Sequence, residues 1–161
     1  MKTLKIFIIC IGFSINLSSF ASDVEQLPDF RKLVLDEYIT PFKNADTDRW
    51  MQVFADDAVG MHNTLPPLVG KEAVRQFGDM VAANLNIEQM DIVIDEVRVS
   101  GSWALTRGSF TSKFVPKSLT DSSAVKPSLG KFILLWEEQA DRSWKVILDM
   151  GNSSESAAPP G

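Results

Sequence analysis

The chain has 161 residues, of which 45% are hydrophobic, and a formal net charge of −5 at pH 7 with a single histidine. An acidic chain without basic clusters argues against binding to nucleic acid or to an anionic membrane surface. The length suits one domain with a single hydrophobic core.

Residues 1–21 have the layout of a secretory signal peptide. Lys2 and Lys5 precede an apolar run from Ile6 to Phe13, and Ser19-Phe20-Ala21 is a small-x-small cleavage site. The rival interpretation, a membrane anchor, fits less well because the apolar run is too short to span a bilayer. We expect cleavage after Ala21, a periplasmic or secreted protein and no membrane contact after cleavage. Cleavage would also remove the only cysteine, so the mature chain would have no disulfide.

The first predicted helix follows a lead-in at residues 22–28. From Asp29 to Phe42, apolar residues recur near helical spacing. Pro41 lacks an amide N–H and constrains the residue before it, so we expect a kink or an end close to Thr40.

Two further helices flank a short strand. Asp46 offers an N-cap for a short helix whose apolar side includes Trp50 and Phe54. Residues 58–62 predict a short strand that runs into a Pro-rich loop. Gly70 then opens a helix that extends to about Ala83.

Four longer strands are predicted after residue 86. Their ranges are 90–97, 103–115, 131–139 and 144–150. The alternation slips near Asp95-Glu96, which predicts a bulge or bend. Turn residues at 100–102 and 140–143 join neighbouring strands, whereas residues 116–128 predict an exposed hairpin loop.

This order of elements, helices first and then antiparallel strands, implies an α+β fold with helices packed on one face of a curved sheet. The strand at 131–139 is apolar on both faces. One face carries Phe132, Leu134 and Trp136, and the other carries Ile133 and Leu135. One face can lie under the helices, and a homodimer through the sheet is the simplest cover for the other.

Five segments in this order carry a family resemblance. They are the helical hairpin from Tyr38 to Trp50, FADDAV at 54–59, VGKEAVRQF at 69–77, SWALTRGSF at 102–110 and GKFILLWEEQADRSWKVILDMGN at 130–152. The chain resembles the nuclear-transport-factor-2-like superfamily in its SnoaL-like and ketosteroid-isomerase-like branch. The resemblance assigns residues 29–152 to one domain, followed by a polar, disordered tail at 153–161.

The resemblance implies a conical α+β barrel, in which N-terminal helices pack on the concave face of a strongly curved antiparallel sheet. It also implies a pocket between helices and sheet, and usually a dimer. It does not imply one activity, because members include isomerases, cyclases, dehydratases, hydrolases and proteins with no known reaction.

Asp149 is the first catalytic candidate. It lies late in the last strand between two apolar residues, and a carboxylate in an apolar pocket resists ionisation and can act as a general acid or base. The alternative is a structural carboxylate that binds backbone or an arginine near the strand end.

His62 is the second catalytic candidate. It is the only histidine and stands where the short strand meets the Pro-rich loop, so it can serve as a base near neutral pH. The alternative is a strand-end histidine that is exposed or hydrogen-bonded. One histidine and no mature cysteine argue against a zinc or copper site, so we expect no metal and no cofactor.

Other residues are candidates for the ligand pocket. Trp50, Phe54 and Trp136, together with Phe77 and Met150, can line a pocket for an apolar or aromatic molecule or can belong to the core. Arg107 lies mid-strand, where it could bind an oxyanion if its face points inward, or pair with solvent or a dimer rim if it points outward.

Tyr38 is the only tyrosine, and its role comes from the resemblance. In isomerase relatives, a tyrosine on the first helix donates a hydrogen bond to an oxyanion. The paired carboxylates Asp56-Asp57 could serve acid–base chemistry or bind a metal, and the favoured alternative is that they are turn residues after a helix.

Three functions stay open at this level. The first is a cofactor-free enzyme that transfers a proton on a small apolar or aromatic molecule, as an isomerase, cyclase or dehydratase would. The second is a binding protein that holds such a ligand without a reaction. The third is a dimeric interaction module with a vestigial pocket.

Overall fold

The computed structural model of the protein describes residues 27–154. The predicted signal peptide, most of the lead-in and residues 155–161 of the predicted tail lie outside the described residues. No helix within the described range is long and apolar enough to cross a bilayer.

The first helix is present, and its backbone widens in the middle. It consists of α1 at Phe30–Leu33, a π-helical stretch at Val34–Ile39 and α2 at Thr40–Lys43. The N–H of Thr40 binds the carbonyl of Leu35, five residues earlier. Pro41 has no backbone N–H and so cannot donate a helical hydrogen bond, which makes it acceptable directly after the widened turn. The predicted interruption near Thr40 therefore takes the form of a π-helical stretch, and helical backbone continues to Lys43.

The second helix begins as predicted and ends earlier than predicted. The Asp46 carboxylate accepts the N–H of Arg49 at 3.1 Å and caps α3 at Thr47–Trp50. A 3₁₀ turn at Met51–Val53 follows, and β1 begins at Phe54. Phe54 is thus a strand residue and not part of the helix, since its backbone is extended and pairs with Val146 of the last strand.

Gly70 permits the chain to enter the third helix. Strand β1 spans Phe54–His62, a short β2 that was not predicted spans Leu68–Val69, and α4 spans Lys71–Asn84. Gly70 has φ of 85°, a left-handed conformation that favours glycine. The predicted start of this helix is confirmed.

Within the described residues, the strands form one six-stranded sheet in the order β2-β1-β6-β5-β4-β3. The remaining strands are β3 at Leu85–Ser100, β4 at Trp103–Pro116, β5 at Ser128–Glu138 and β6 at Trp144–Ser153. All neighbours are antiparallel except β1 and β6, which run parallel. The sheet is strongly curved and unclosed, and the predicted α+β class with a curved sheet is confirmed. The predicted bulge is also present, as a register shift between Ile94 and Glu96.

The core lies between the helices and the inner face of the sheet. Phe132, Leu134 and Trp136 are all at least 93% buried, as expected for the face under the helices. Phe30 of α1 packs edge-on against Trp136 and Trp144. Each such large side chain contributes roughly 1.5–3 kcal/mol when fully buried, so this layer fixes the helices over the sheet.

Candidate functional site

A cavity of about 420 Å³ lies between the helices and the inner face of the sheet. Its walls are mainly apolar and aromatic, with side chains from Ile39, Phe42, Trp50, Phe77, Phe110 and Phe132. Its volume falls within the range of about 300–1,000 Å³ that is typical of small-molecule sites. Three ionisable side chains reach it, from Tyr38, His62 and Asp149.

Tyr38 and Asp149 form a direct hydrogen bond at this cavity. The Tyr38 hydroxyl donates to Oδ2 of Asp149 at 2.6 Å. The π-helical stretch carries Tyr38, and β6 carries Asp149. The phenol ring also contacts the rings of Trp50 and Phe54, at centroid distances of 5.9 and 6.0 Å. These contacts hold the hydroxyl over the carboxylate.

Asp149 is a buried acid with only 2% of its surface exposed. Burial raises the pKa of its carboxyl above the usual value, and His62 followed by Tyr38 acts in the opposite direction. Burial, and then the neighbouring Asp149 charge, hold the pKa of the Tyr38 phenol well above its usual value. A buried acid with a raised pKa and a hydrogen-bonded partner is a candidate for proton transfer.

His62 lies beside the same carboxylate oxygen. Its Nε2 is 3.6 Å from Oδ2 of Asp149, and its side chain is 18% exposed, against 2% for Asp149. The imidazole stacks on Phe77 with a centroid distance of 4.9 Å and an interplanar angle of 17°. Nε2 is buried and has no hydrogen-bond partner within the described part of the chain. His62 is therefore the more accessible member of the pair.

The parallel pairing of β1 with β6 creates this arrangement. Gly60 pairs with Asp149, and His62 pairs with Gly151. Alternate residues of a strand point to the same face, so these four residues share the inner face of the sheet. The two glycines leave room for the imidazole between the strands.

The match to a known family decides the classification of this domain. The family model described as the SnoaL-like domain matches residues 35–128, more than half of the 161-residue chain. The chain belongs to the SnoaL-like domain family.

Solved structures show the same fold. A ketosteroid isomerase-like protein from Erwinia carotovora atroseptica has a TM-score of 0.68 and 23% identity, over 78% of this chain and 94% of that one. A conserved protein from Planctomyces limnophilus has a TM-score of 0.67 and 18% identity, over 76% and 92%. A nuclear transport factor 2-like superfamily protein from Salmonella enterica serovar Typhimurium has a TM-score of 0.66 and 12% identity, over 82% and 94%. No protein with curated function matches the chain.

In this SnoaL-like domain, four of the seven predicted site residues meet at one cavity. Tyr38, Trp50, His62 and Asp149 all line it. The sequence placed these residues on four separate elements, and the fold brings them together.

Arg107 lies elsewhere, which corrects its predicted place in the pocket. Its side chain is 50% exposed and pairs with Glu96 at 2.6 Å. Arg107 pairs in register with Ile133, on the face of the sheet opposite to the buried Phe132 and Leu134. The Arg107 side chain therefore points outward, away from the cavity.

Phe54 and Trp136 are core residues and do not line the cavity, which corrects their predicted pocket role. Phe54 is 1% exposed and packs edge-on against Trp50 at 4.8 Å. Trp136 is fully buried, and its Nε1 donates to the hydroxyl of Thr106 at 3.1 Å. Both side chains belong to the hydrophobic core.

Sequence reasoning missed most of the aromatic wall. Phe110 and Phe132 line the cavity from neighbouring strands, and Phe42 lines it from α2. The alternation on β4 and β5 could have indicated these residues. Phe110 and Phe132 each lie on the strand face that also carries small or buried residues, and that face is directed to the core. Among residues 27–154, no three His, Cys, Asp or Glu side chains come together as a set of metal ligands.

Proposed function

We propose that this SnoaL-like protein is a cofactor-free enzyme that transfers a proton on a small, largely apolar or aromatic molecule. The observation that carries the proposal is the His62–Asp149 pair, 3.6 Å apart, at an apolar cavity. Paired titratable groups in a dry cleft are a common feature of acid–base catalysts.

His62 acts as the base that meets the substrate, because it is more exposed than Asp149. The imidazole removes a proton from a carbon next to a carbonyl and returns it at the same or another position, so no electrons are lost or gained. Asp149 stabilises the imidazolium that forms, and Tyr38 keeps Asp149 in place through the 2.6 Å hydrogen bond.

The cavity wall supports a neutral substrate. Of the described residues that line the cavity, none is a lysine or an arginine. An anion would therefore enter an apolar site beside a buried carboxyl without a lysine or arginine to pair with, which is unfavourable. Asn63 and Thr64 also line the cavity, and their polar groups can form hydrogen bonds with a carbonyl or hydroxyl substituent of the substrate.

Deuterium exchange tests this proposal. The probe is 2-tetralone, a neutral bicyclic aromatic ketone with acidic protons next to its carbonyl, in D₂O with NMR detection. We expect wild-type protein to accelerate the exchange, and His62→Gln and Asp149→Asn each to lower the rate by about 10²–10⁴-fold. Arg107→Gln is the control and should exchange at the wild-type rate. Equal rates for wild type and both site variants would contradict the proposal.

A specific observation favours a second function, a binding protein without a reaction. The Tyr38 hydroxyl already donates to Asp149, so it does not offer a free donor to an oxyanion in this arrangement. A binder would retain 2-tetralone in native mass spectrometry, would not exchange its protons and would change only in affinity on Asp149→Asn.

We also propose that a second copy of the chain covers the outer face of the sheet. Trp103 and Leu129 on this side are 45% and 57% exposed, and Ile133 and Leu135 are half-buried. Apolar residues grouped in this way on one face are typical of an interface. Leu135→Glu should convert a dimer into a monomer in native mass spectrometry, and a monomeric wild type at micromolar concentration would contradict the proposal.

We further propose that residues 1–21 direct export of the protein and are then removed. N-terminal sequencing of the protein from the exported fraction should give Ser22 as the first residue. Protein that keeps Met1 and stays inside the cell would contradict it.

A further inference from the structure

The two ring nitrogens of His62 have different surroundings. Nε2 is buried and lies 3.6 Å from Oδ2 of Asp149. On the same side, a Cβ on Gly60 would stand only 3.3 Å from Nε2. Nε2 is thus enclosed between β1 and β6 and faces a carboxylate.

Nδ1 lies next to an open position on the other strand. Gly151 pairs with His62 across the two parallel strands. A Cβ on Gly151 would stand 3.6 Å from Nδ1, which is ordinary van der Waals contact. Gly151 also lines the main cavity and a second cavity of about 370 Å³ beside it. The missing side chain of Gly151 therefore leaves space at Nδ1 that opens to the ligand site.

The carboxylate determines which nitrogen carries the proton. A neutral imidazole has one N–H donor and one lone-pair acceptor. An ionised or hydrogen-bonding carboxyl oxygen near Nε2 favours the tautomer with a proton on Nε2, and a movement of a few tenths of an ångström would bring the pair within hydrogen-bond range. The lone pair then resides on Nδ1.

We propose that His62 works through Nδ1, with Nε2–H directed to Asp149, and that Gly151 is the residue that keeps the approach to Nδ1 open. Gly151 is an access residue, since it offers no group to the reaction. The inference deepens the proposed function and depends on it only for its effect on turnover. The tautomer and the access can be measured without any substrate.

The tautomer is tested first by ¹⁵N NMR of protein labelled at histidine. The chain has one histidine, so the imidazole gives two nitrogen signals without assignment by mutation. At about pH 9, well above the ordinary histidine pKa of about 6.5, we expect a protonated Nε2 and an unprotonated Nδ1. In Asp149→Asn the preference should weaken toward a mixture. A protonated Nδ1 in the wild type would overturn the inference.

Access is tested by reaction of the imidazole with diethyl pyrocarbonate, followed by mass spectrometry. The unprotonated nitrogen attacks a carbonyl carbon of the reagent, ethyl carbonate leaves, and the proton on the other ring nitrogen passes to solvent. Gly151→Ala should slow this reaction by about tenfold, since the added methyl group covers Nδ1 at contact distance. Lys131→Ala is the control, because Lys131 is exposed on β5 and lines neither of the two cavities.

Each outcome separates the inference from the proposed function. If Gly151→Ala reacts as fast as wild type, or if wild-type His62 does not react, the open approach to Nδ1 is wrong. If the tautomer and reactivity results hold while wild type exchanges no protons of 2-tetralone, the proposed reaction fails and the nitrogen assignment stands. If both hold, Gly151→Ala should also lower the exchange rate by about tenfold or more.

Discussion

The Tyr38 hydroxyl donates a 2.6 Å hydrogen bond to Oδ2 of Asp149, 111 residues later in the chain. This contact joins the first helical segment to the last strand at the wall of the cavity. It also differs from the role that the family resemblance implies for a tyrosine on this helix. The donor is directed to a protein carboxyl, so Tyr38 positions the acid and does not face a free oxyanion.

Tyr38→Phe should destabilise the protein and leave its fold unchanged. The phenyl ring keeps the contacts with Trp50 and Phe54, whereas the buried carboxyl of Asp149 loses its donor. We expect a loss of about 1–3 kcal/mol in the free energy of unfolding, measured by urea titration.

A double-mutant cycle with Asp149→Leu identifies the source of that loss. If the hydrogen bond is responsible, Tyr38→Phe should have a much smaller effect in the Asp149→Leu background. An equal effect in both backgrounds would assign the loss to ring packing.

The raised pKa of Asp149 predicts how stability depends on pH. A carboxyl whose pKa is higher in the folded state makes its full contribution below the unfolded pKa of about 3.9, and that contribution is lost as pH rises through the folded value. The amide that replaces this carboxyl in Asp149→Asn cannot ionise. The free energy of unfolding of this variant should therefore rise relative to wild type as the pH increases above about 3.9 and until the folded pKa is passed, by about 1.4 kcal/mol for each tenfold change in proton affinity.

The control for this pH series is Asp57→Asn, at an exposed aspartate. Its difference from wild type should stay constant over the same pH range. A fall in the relative stability of Asp149→Asn with rising pH would contradict the raised pKa of Asp149. Measurements end at about pH 9 so that the Tyr38 phenol, whose pKa is raised, stays protonated throughout.

Arg107→Gln should leave both stability and proton exchange almost unchanged. Its guanidinium is 50% exposed and pairs with Glu96, which also contacts Arg98. Exposed ion pairs contribute little because water and salt screen them. The urea midpoint and the 2-tetralone exchange rate should match those of wild type. A tenfold loss of exchange would mean that Arg107 contributes to the reaction after all.

Much of the fold could be predicted because its signals are local. Gly70 and Asp46 mark helix starts through backbone conformation and side-chain capping, and the slip near Glu96 marks a bulge. Strand alternation also separated the faces of β5 correctly. Each of these signals depends on neighbours within a few residues.

The site was harder to predict because it depends on one non-local pairing. His62 and Asp149 approach each other only because β1 inserts parallel to β6, and no local pattern encodes that partner. The orientation of Arg107 was also not predictable from the sequence, because alternation defines two faces of a strand and does not say which one is inward. Phe54 was assigned to the helix because it continues an apolar spacing that the 3₁₀ turn ends.

Gly78→Ala tests how closely α4 packs on the cavity wall. Alanine normally stabilises a helix interior by about 0.5–1 kcal/mol relative to glycine. Here a Cβ would stand 2.8 Å from Cζ3 and 3.0 Å from Cε3 of Trp50, whose ring is 1% exposed and cannot move freely. Overpacking of this kind typically costs about 1–3 kcal/mol, so the clash should exceed the gain in helix propensity. We expect a lower urea midpoint for Gly78→Ala and weaker binding of 2-tetralone, because Trp50 also lines the cavity. Met80→Ala, at a 44% exposed position of the same helix, is the control and should change neither quantity appreciably. A more stable Gly78→Ala would mean that Trp50 and α4 separate easily and that the wall is not rigid.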